Sequence, residues 1–325
     1  MSNALLTVRD LAIDIQTPTL VAKVIDYVNV EVRRGETVGV VGESGCGKST
    51  LLKAILGILP KAASCKRGEI LFEGRSMLDL WGTEESRQIR SRDIGFIPQD
   101  PYLSLNPAFT VGRQLIESLL ELGKEAARAE LLRMLKAVQL SDPQSVMERY
   151  PHQFSGGQRQ RLLIAAALAR RPKLLIADEP TTALDVTTQN EILEVMRELV
   201  VETGVAMLFV SHDLGVIRSI CDSVTVMYAG QSVETAPADV LVNEPKHPYT
   251  RMLLDCHPDR AQGFRGIPGQ VASPLDPPPG CRFSPRCPIV ATECTRARPP
   301  MLHPSASHGV SCPRYEVALE TVTDA

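Results

Sequence analysis

A chain of 325 residues with 44% hydrophobic and 22% charged positions is long enough to bury one or two sizeable cores, so one large domain with an appendage is expected. A formal net charge of -3 supplies none of the basic surface that dominates nucleic-acid affinity, and no nucleic-acid partner is expected. Eight cysteines in a reducing compartment point to metal or reactivity where they cluster, not to disulfides.

The first residues show no basic segment ahead of an apolar core, and the longest apolar runs, 162–169 and 174–177, fall far short of a membrane span. The chain is therefore expected in the cytosol, with any membrane role supplied through partners. Residues 5–41 alternate apolar and polar positions, marked by Leu6, Val8, Leu11 and Ile13 and then by Val28, Val30, Val32, Val38 and Val40. That alternation predicts antiparallel strands ending in a buried strand over 37–41.

The buried strand runs into Gly42-Glu43-Ser44-Gly45-Cys46-Gly47-Lys48-Ser49, with Thr50 following. Glycines there let backbone N–H groups wrap phosphates, Lys48 reaches the β- and γ-phosphates, and the Ser49 hydroxyl ligates Mg²⁺. Leu51, Leu52, Ile55 and Leu56 predict a helix over 49–59 whose N-terminal dipole adds to the site. Strand, loop and helix stand in the order that phosphate binding needs. Cys46 reads as a small residue whose backbone faces phosphate.

From 111 to 140 the pattern turns helical, with Leu115, Leu119, Leu122, Leu131, Leu132, Leu135 and Val138 in stripes that read as helix packing. Residues 174–178 form a buried strand that ends in Asp178-Glu179. A carboxylate at the end of an apolar strand holds a Mg²⁺ shell and a second one beside it polarises an attacking water, so Asp178 is assigned to the metal and Glu179 to the water. Alone, such a pair is more often a solvated turn; downstream of a phosphate loop it reads as catalytic. A charged helix over 188–202 leads to a further buried strand at 206–211, giving a mainly parallel α/β core with a helical insert.

Gln99, in Ile97-Pro98-Gln99-Asp100, and His212, in Val210-Ser211-His212-Asp213, are weak signals singly. Taken in order with the phosphate loop, Phe154-Ser155-Gly156-Gly157-Gln158 and Asp178-Glu179, they make residues 5–240 resemble the nucleotide-binding subunit of an ABC transporter. The resemblance implies an α/β P-loop NTPase (RecA-like) core with an antiparallel β subdomain and a helical subdomain at about 104–168, all within a nucleotide-binding domain over 1–243. It implies that Gln99 senses Mg²⁺ and the γ-phosphate and touches the transmembrane partner, and that Glu179 is the general base. It further implies that His212 holds the γ-phosphate and that Asp185 lies in the loop between two nucleotide sites. Ser155, Gly156, Gly157 and Gln158 match the signature loop that closes over ATP on the opposite subunit. Ser155 begins a helix running through Arg161 to Ala169, so its hydroxyl and the helix N-terminus offer an anion site. One departure stands out: the family stacks adenine on an early aromatic side chain, and here Tyr27 is the first aromatic residue.

After residue 243 prolines crowd the chain, and an irregular extension over 244–325 is expected. His247-Pro248-Tyr249-Thr250, Ile267-Pro268-Gly269, Gly280-Cys281 and Pro285-Arg286-Cys287-Pro288 resemble the tail of the oligopeptide and dipeptide importer subfamily, in its D-type subunit. Cys281, Cys287, Cys294 and Cys312 lack the paired spacing of zinc ribbons, and Cys-Pro occurs at Cys287 and Cys312 as it does around iron–sulfur ligands. The resemblance implies a [4Fe-4S] cluster on these four, stapling a segment too poor in regular structure to fold alone; zinc and four buried thiols are the alternatives. His303 and His308 read as surface residues.

As a whole the resemblance implies a subunit that binds ATP and Mg²⁺ and couples hydrolysis to uptake of di- or oligopeptides, with nickel, opines or oligosaccharides as other cargoes. Its expected partners are a second ABC ATPase subunit in a heterodimer, two permease subunits and an extracytoplasmic substrate-binding protein, at the cytoplasmic face of the inner membrane. A soluble ABC ATPase of DNA repair or translation would carry a long coiled coil or tandem cassettes; this chain has one cassette and no sustained heptads. A regulator that binds ATP without turnover is opposed by the retained Lys48, Glu179 and His212.

Overall fold

The computed structural model describes residues 3–182, 184–256 and 266–316. It divides into two compact units, the first formed by 1–32, 37–81 and 211–325 and the second by 33–36 and 82–210.

In the first unit the alternating N-terminal sequence becomes two long strands, Ala4–Gln16 and Val21–Arg33, in a four-stranded sheet with Ala63–Phe72 and Arg75–Ser76. The register between the first strand and Ala63–Phe72 slips between Arg9 and Ala12. Asp10 takes φ 47° at the slip, and Gly68 opposite has φ 91° with no room for a side chain, since a Cβ would lie 2.5 Å from the Arg9 carbonyl. This bulge is why Leu11, Ala12 and Ile13 are buried in succession where strict alternation would expose one of them.

Thr37–Val41, buried at every position, runs parallel to Ser223–Tyr228, which pairs antiparallel with Gln231–Pro237. A strand buried on both faces reads as a continuous apolar run, which is why this one was legible. The proline-rich tail contributes regular structure of its own: a helix at Pro248–Asp255 and the strands Leu302–Ser305 and His308–Val310, the latter paired with Gln231–Pro237. Pro304 falls in the outermost strand, where a missing N–H costs no ladder bond.

Side chains hold this tail down. Phe283 is buried against Tyr228, Tyr249 and His247 at ring separations of 5.1, 5.4 and 5.9 Å. Arg282 donates to the carbonyls of Ala229 and Lys23 and pairs with Asp26 at 3.3 Å. Glu234, fully buried, accepts from the N–H groups of Lys246 and His247 and pairs with His308 Nε2 at 2.7 Å. His308 is thus a buried partner of a carboxylate and not the surface residue expected.

In the second unit Ile94–Ile97, Leu174–Asp178 and Ala206–Ser211 are parallel neighbours. The helical stretch expected over 111–140 is broken into Val111–Glu117, a 3₁₀ turn at Leu120–Leu122 and Lys124–Ala137, because Gly123 adopts φ 83° between the last two. Gly156–Ala169 and Val186–Thr203 complete the elements that matter for the site. Among the described residues no helix is long and apolar enough to cross a membrane.

Candidate functional site

The phosphate loop lies in the first unit, between Thr37–Val41 and the helix Lys48–Ile55. Gly42 is required by close approach: a Cβ there would stand 2.2 Å from the carbonyl oxygen of Met227. Gly47 sits at φ 102° immediately before the helix, and no side chain caps that helix, so its first-turn N–H groups are directed to whatever anion enters. Lys48 is buried and folded back on the loop, its ammonium donating to the carbonyls of Gly42 at 2.7 Å and Glu43 at 3.2 Å. Ser44, Gly45 and Ser49 face outward, with Thr50 half-buried. Burial pushes the Cys46 thiol above its ordinary pKa despite the nearby Lys48, which keeps it a protonated, inert packing group. His212, at the end of Ala206–Ser211, is exposed ahead of the helix Leu214–Ile220, whose N-terminus Asp213 caps through Gly215 and Val216.

The carboxylate pair and the signature loop lie in the second unit. Glu179 has φ 44°, a left-handed backbone that costs a glutamate about 1–2 kcal/mol, and its N–H is held by the carbonyl of Val210 at 2.9 Å. Its carboxylate accepts from Gln99 Nε2 at 3.4 Å and from Thr182 Oγ1 at 3.0 Å. The unit therefore gathers Gln99, Asp178 and Glu179 at one strand end, together with Thr182, which no motif singles out.

Ser155 caps Gly156–Ala169 in a reciprocal box: its hydroxyl accepts from the Gln158 N–H at 3.3 Å while Gln158 Oε1 accepts from the Ser155 N–H at 3.1 Å. A Cβ on Gly156 would meet Tyr102 Oη at 2.9 Å, and one on Gly157 would meet Thr188 Cγ2 at 2.5 Å. The two glycines thus admit one side chain from the segment after Gln99 and one from the helix after Asp185. Asp185 caps that helix, accepting from the Thr188 N–H at 3.0 Å and its hydroxyl at 2.8 Å, bonds that hold its carboxyl below the ordinary range. Thr188 consequently touches the signature loop with its methyl and Asp185 with its hydroxyl.

The four tail cysteines do not carry the expected [4Fe-4S] cluster. Among the described residues no group of three or more His, Cys, Asp or Glu side chains is arranged to hold a metal ion. The thiols are instead free and wholly or partly buried. Burial pushes Cys281 up to about 11 and Cys312 up to about 12 and raises Cys287 too, so these sulfurs are neutral at physiological pH. Backbone bonds such as Cys281 N–H to the Cys294 carbonyl at 2.7 Å, with the aromatic and arginine anchors above, order the segment without metal.

Tyr27 does not fill the place of the absent adenine-stacking aromatic. The guanidinium carbons of Arg67 and Arg298 lie 3.4 and 3.5 Å from its ring centroid, and two groups that close must occupy opposite faces. Both π-faces are therefore covered.

Residues 25–182 match the family model described as ABC transporter, and residues 233–294 match the oligopeptide/dipeptide transporter C-terminal region. A probable peptide ABC transporter ATP-binding protein of Sinorhizobium fredii is 44% identical over 96% of this chain and 95% of its own length. The dipeptide transport ATP-binding protein DppD of Bacillus subtilis is 43% identical over 94% of this chain and 93% of its own. Among solved structures, cbiO1 of Clostridium perfringens, part of the ABC transporter complex cbiONQ, superposes with a TM-score of 0.65 at 26% identity, covering 75% of this chain and 92% of that one. The ATP-binding cassette MJ0796, as a dimer in a post-hydrolysis state with ADP and phosphate, superposes with a TM-score of 0.63 at 28% identity, covering 72% and 98%.

Proposed function

Because this chain belongs to the ABC transporter ATPases and carries their oligopeptide/dipeptide C-terminal region, we propose that its ATP hydrolysis drives uptake of di- or oligopeptides through separate permease subunits. Backbone N–H groups of the glycine loop within residues 42–50 wrap the phosphates, and Lys48 leaves its loop carbonyls for the β- and γ-phosphates. Ser49, Gln99 and Asp178 would hold Mg²⁺, which would neutralise charge on the transferred phosphoryl group. Glu179 orients and deprotonates the attacking water, and His212 holds the γ-phosphate. Ser155, Gly156, Gly157 and Gln158 act on the nucleotide of a second, related ATPase subunit, and Asp185 lies in the loop that communicates between the two nucleotide sites.

The observation that supports hydrolysis most directly is the Glu179 carboxylate, set on a strained backbone and oriented by Gln99 and Thr182. Tyr102, Leu103 and Phe109 are exposed just after Gln99, apolar surface suited to a permease loop. In this reading the protein sits peripherally at the cytoplasmic face of the inner membrane, and cargo choice belongs to the permeases and an extracytoplasmic binding protein. Glu179→Gln removes the base and should lower kcat by about 10²–10⁴ while leaving ATP-dependent dimers intact. Hydrolysis at the wild-type rate in that variant, or recovery of the protein with ribosomes or DNA in place of permeases, would sink the reading.

A further inference from the structure

We propose that Arg286 and Tyr249, both from the C-terminal region, are positioning residues of the nucleotide site that pin Glu43 of the phosphate loop and cancel its charge. Glu43 is an awkward residue for its place. It is the second residue of a loop that binds a polyanion, and its carboxylate opposes the phosphates unless something neutralises it.

Arg286 supplies that neutralisation with a forked ion pair, Nη1 to Glu43 Oε2 at 2.8 Å and Nη2 to Oε1 at 3.2 Å. The fork is fixed by its other donors. Nε bonds the Pro268 carbonyl at 2.8 Å, Nη2 the Ile267 carbonyl at 3.0 Å and Nη1 the Tyr228 hydroxyl at 3.3 Å. These bonds match the five N–H donors a guanidinium has, so Arg286 has no spare donor and no freedom to swing toward solvent. Its side chain is 3% exposed, against 26% for Glu43.

Tyr249 acts on the backbone of the same residue. Its hydroxyl, at the end of a fully buried ring, accepts the Glu43 N–H at 2.9 Å. The loop thus leaves its strand with the N–H of Glu43 turned into the tail and its carboxylate turned into Arg286. A tail that only needed anchoring would not require a charged pair at the loop; the Phe283 and Arg282 contacts already supply that. The Arg286 fork instead meets the one acidic side chain within residues 42–50.

The inference rests on residues 42–50 holding the nucleotide phosphates, and a set of full-length variants separates the two. Affinity for a fluorescent ATP analogue and steady-state hydrolysis are measured for wild type, Lys48→Ala, Arg286→Ala and Arg286→Ala/Glu43→Gln. Arg286→Ala should weaken binding on the order of tenfold. Its effect should fall on KM, with kcat at saturation within about threefold of wild type, and should shrink as salt rises. Adding Glu43→Gln should recover most of the lost affinity, because the uncancelled charge is gone. A double variant that binds no tighter than Arg286→Ala overturns the inference, as does wild-type affinity in Arg286→Ala when Lys48→Ala has lost binding. Undiminished binding in Lys48→Ala would overturn the phosphate-loop reading itself. Where Arg286→Ala does not fold, Arg286→Lys, which keeps the charge but breaks the fork, is compared with and without Glu43→Gln under the same criterion.

Discussion

Truncating Phe283 to alanine should undock the C-terminal region, and the packing around the ring sets the size of the loss. The ring is 1% exposed and touches Tyr228 edge-on at 5.1 Å, with Tyr249 and His247 beside it. Phe→Ala in a core costs about 3–5 kcal/mol, and three aromatic neighbours that cannot collapse into the space place this site near about 4 kcal/mol. For a body of 150–250 residues each kcal/mol is worth about 2–4 °C, so the melting midpoint should drop by about 10 °C. Calorimetry reads the midpoint, and limited trypsin digestion reads whether cleavage moves into the region after residue 244. Replacing all four tail cysteines by alanine removes only small side chains and should cost less than the single Phe283 truncation. A Phe283→Ala midpoint within about 2 °C of wild type, or a cysteine-free variant less stable than Phe283→Ala, would refute the view that side-chain packing orders the tail.

Three further outcomes follow from named contacts. Gly157→Ala forces a methyl against Thr188 Cγ2 and should slow ATP hydrolysis at least about tenfold; adding Thr188→Ser deletes that methyl, keeps the hydroxyl on Asp185, and should restore part of the rate. Ser155→Ala removes the cap of the signature helix, costing about 1 kcal/mol in denaturant titration, and should weaken ATP-dependent dimerisation in analytical ultracentrifugation. Burial holds His247 down to about 4, and its Nδ1 accepts the Tyr249 N–H at 3.1 Å, so the neutral ring is the folded form. A depressed folded-state pKa means that stability is complete above the unfolded value near 6.5 and is lost as pH falls toward 4, by up to about 3 kcal/mol. His247→Asn, which keeps a capping acceptor and does not titrate, should flatten that acid limb in unfolding curves taken between pH 7 and 4.

The core strands could be read from the sequence because burial on both faces leaves an uninterrupted apolar signature at 37–41, 174–178 and 206–211. The phosphate loop was legible for a related reason: its chemistry is local, set by glycines a few residues apart. What escaped is non-local. Thr188 lies a whole helix and strand beyond Gly157 in the sequence but fills the space its missing side chain leaves. Arg286 is 243 residues from the carboxylate it grips, and nothing in either neighbourhood announces the other. The cysteines misled because spacing and adjacent prolines describe which atoms are available, whereas a metal site also needs three or more donors arranged around one point, and among the described residues no such group stands.

The composition of the chain shifts after residue 243, yet packing continues across that point. Four of the contacts by which tail residues reach the cassette are Arg282 at Asp26, Arg298 at Tyr27, Arg286 at Glu43 and His308 at Glu234. Three of the four put a basic group beside a carboxylate. Removing the tail would take from Glu234 its Lys246, His247 and His308 partners and from Glu43 its guanidinium. The tail is therefore part of the same folding unit as the phosphate loop, which agrees with the grouping of 211–325 with 37–81. The fourth contact bears on base recognition. With Arg67 on one face of Tyr27 and Arg298 on the other, adenine cannot stack there, so the tail takes up the one early aromatic that the cassette offers.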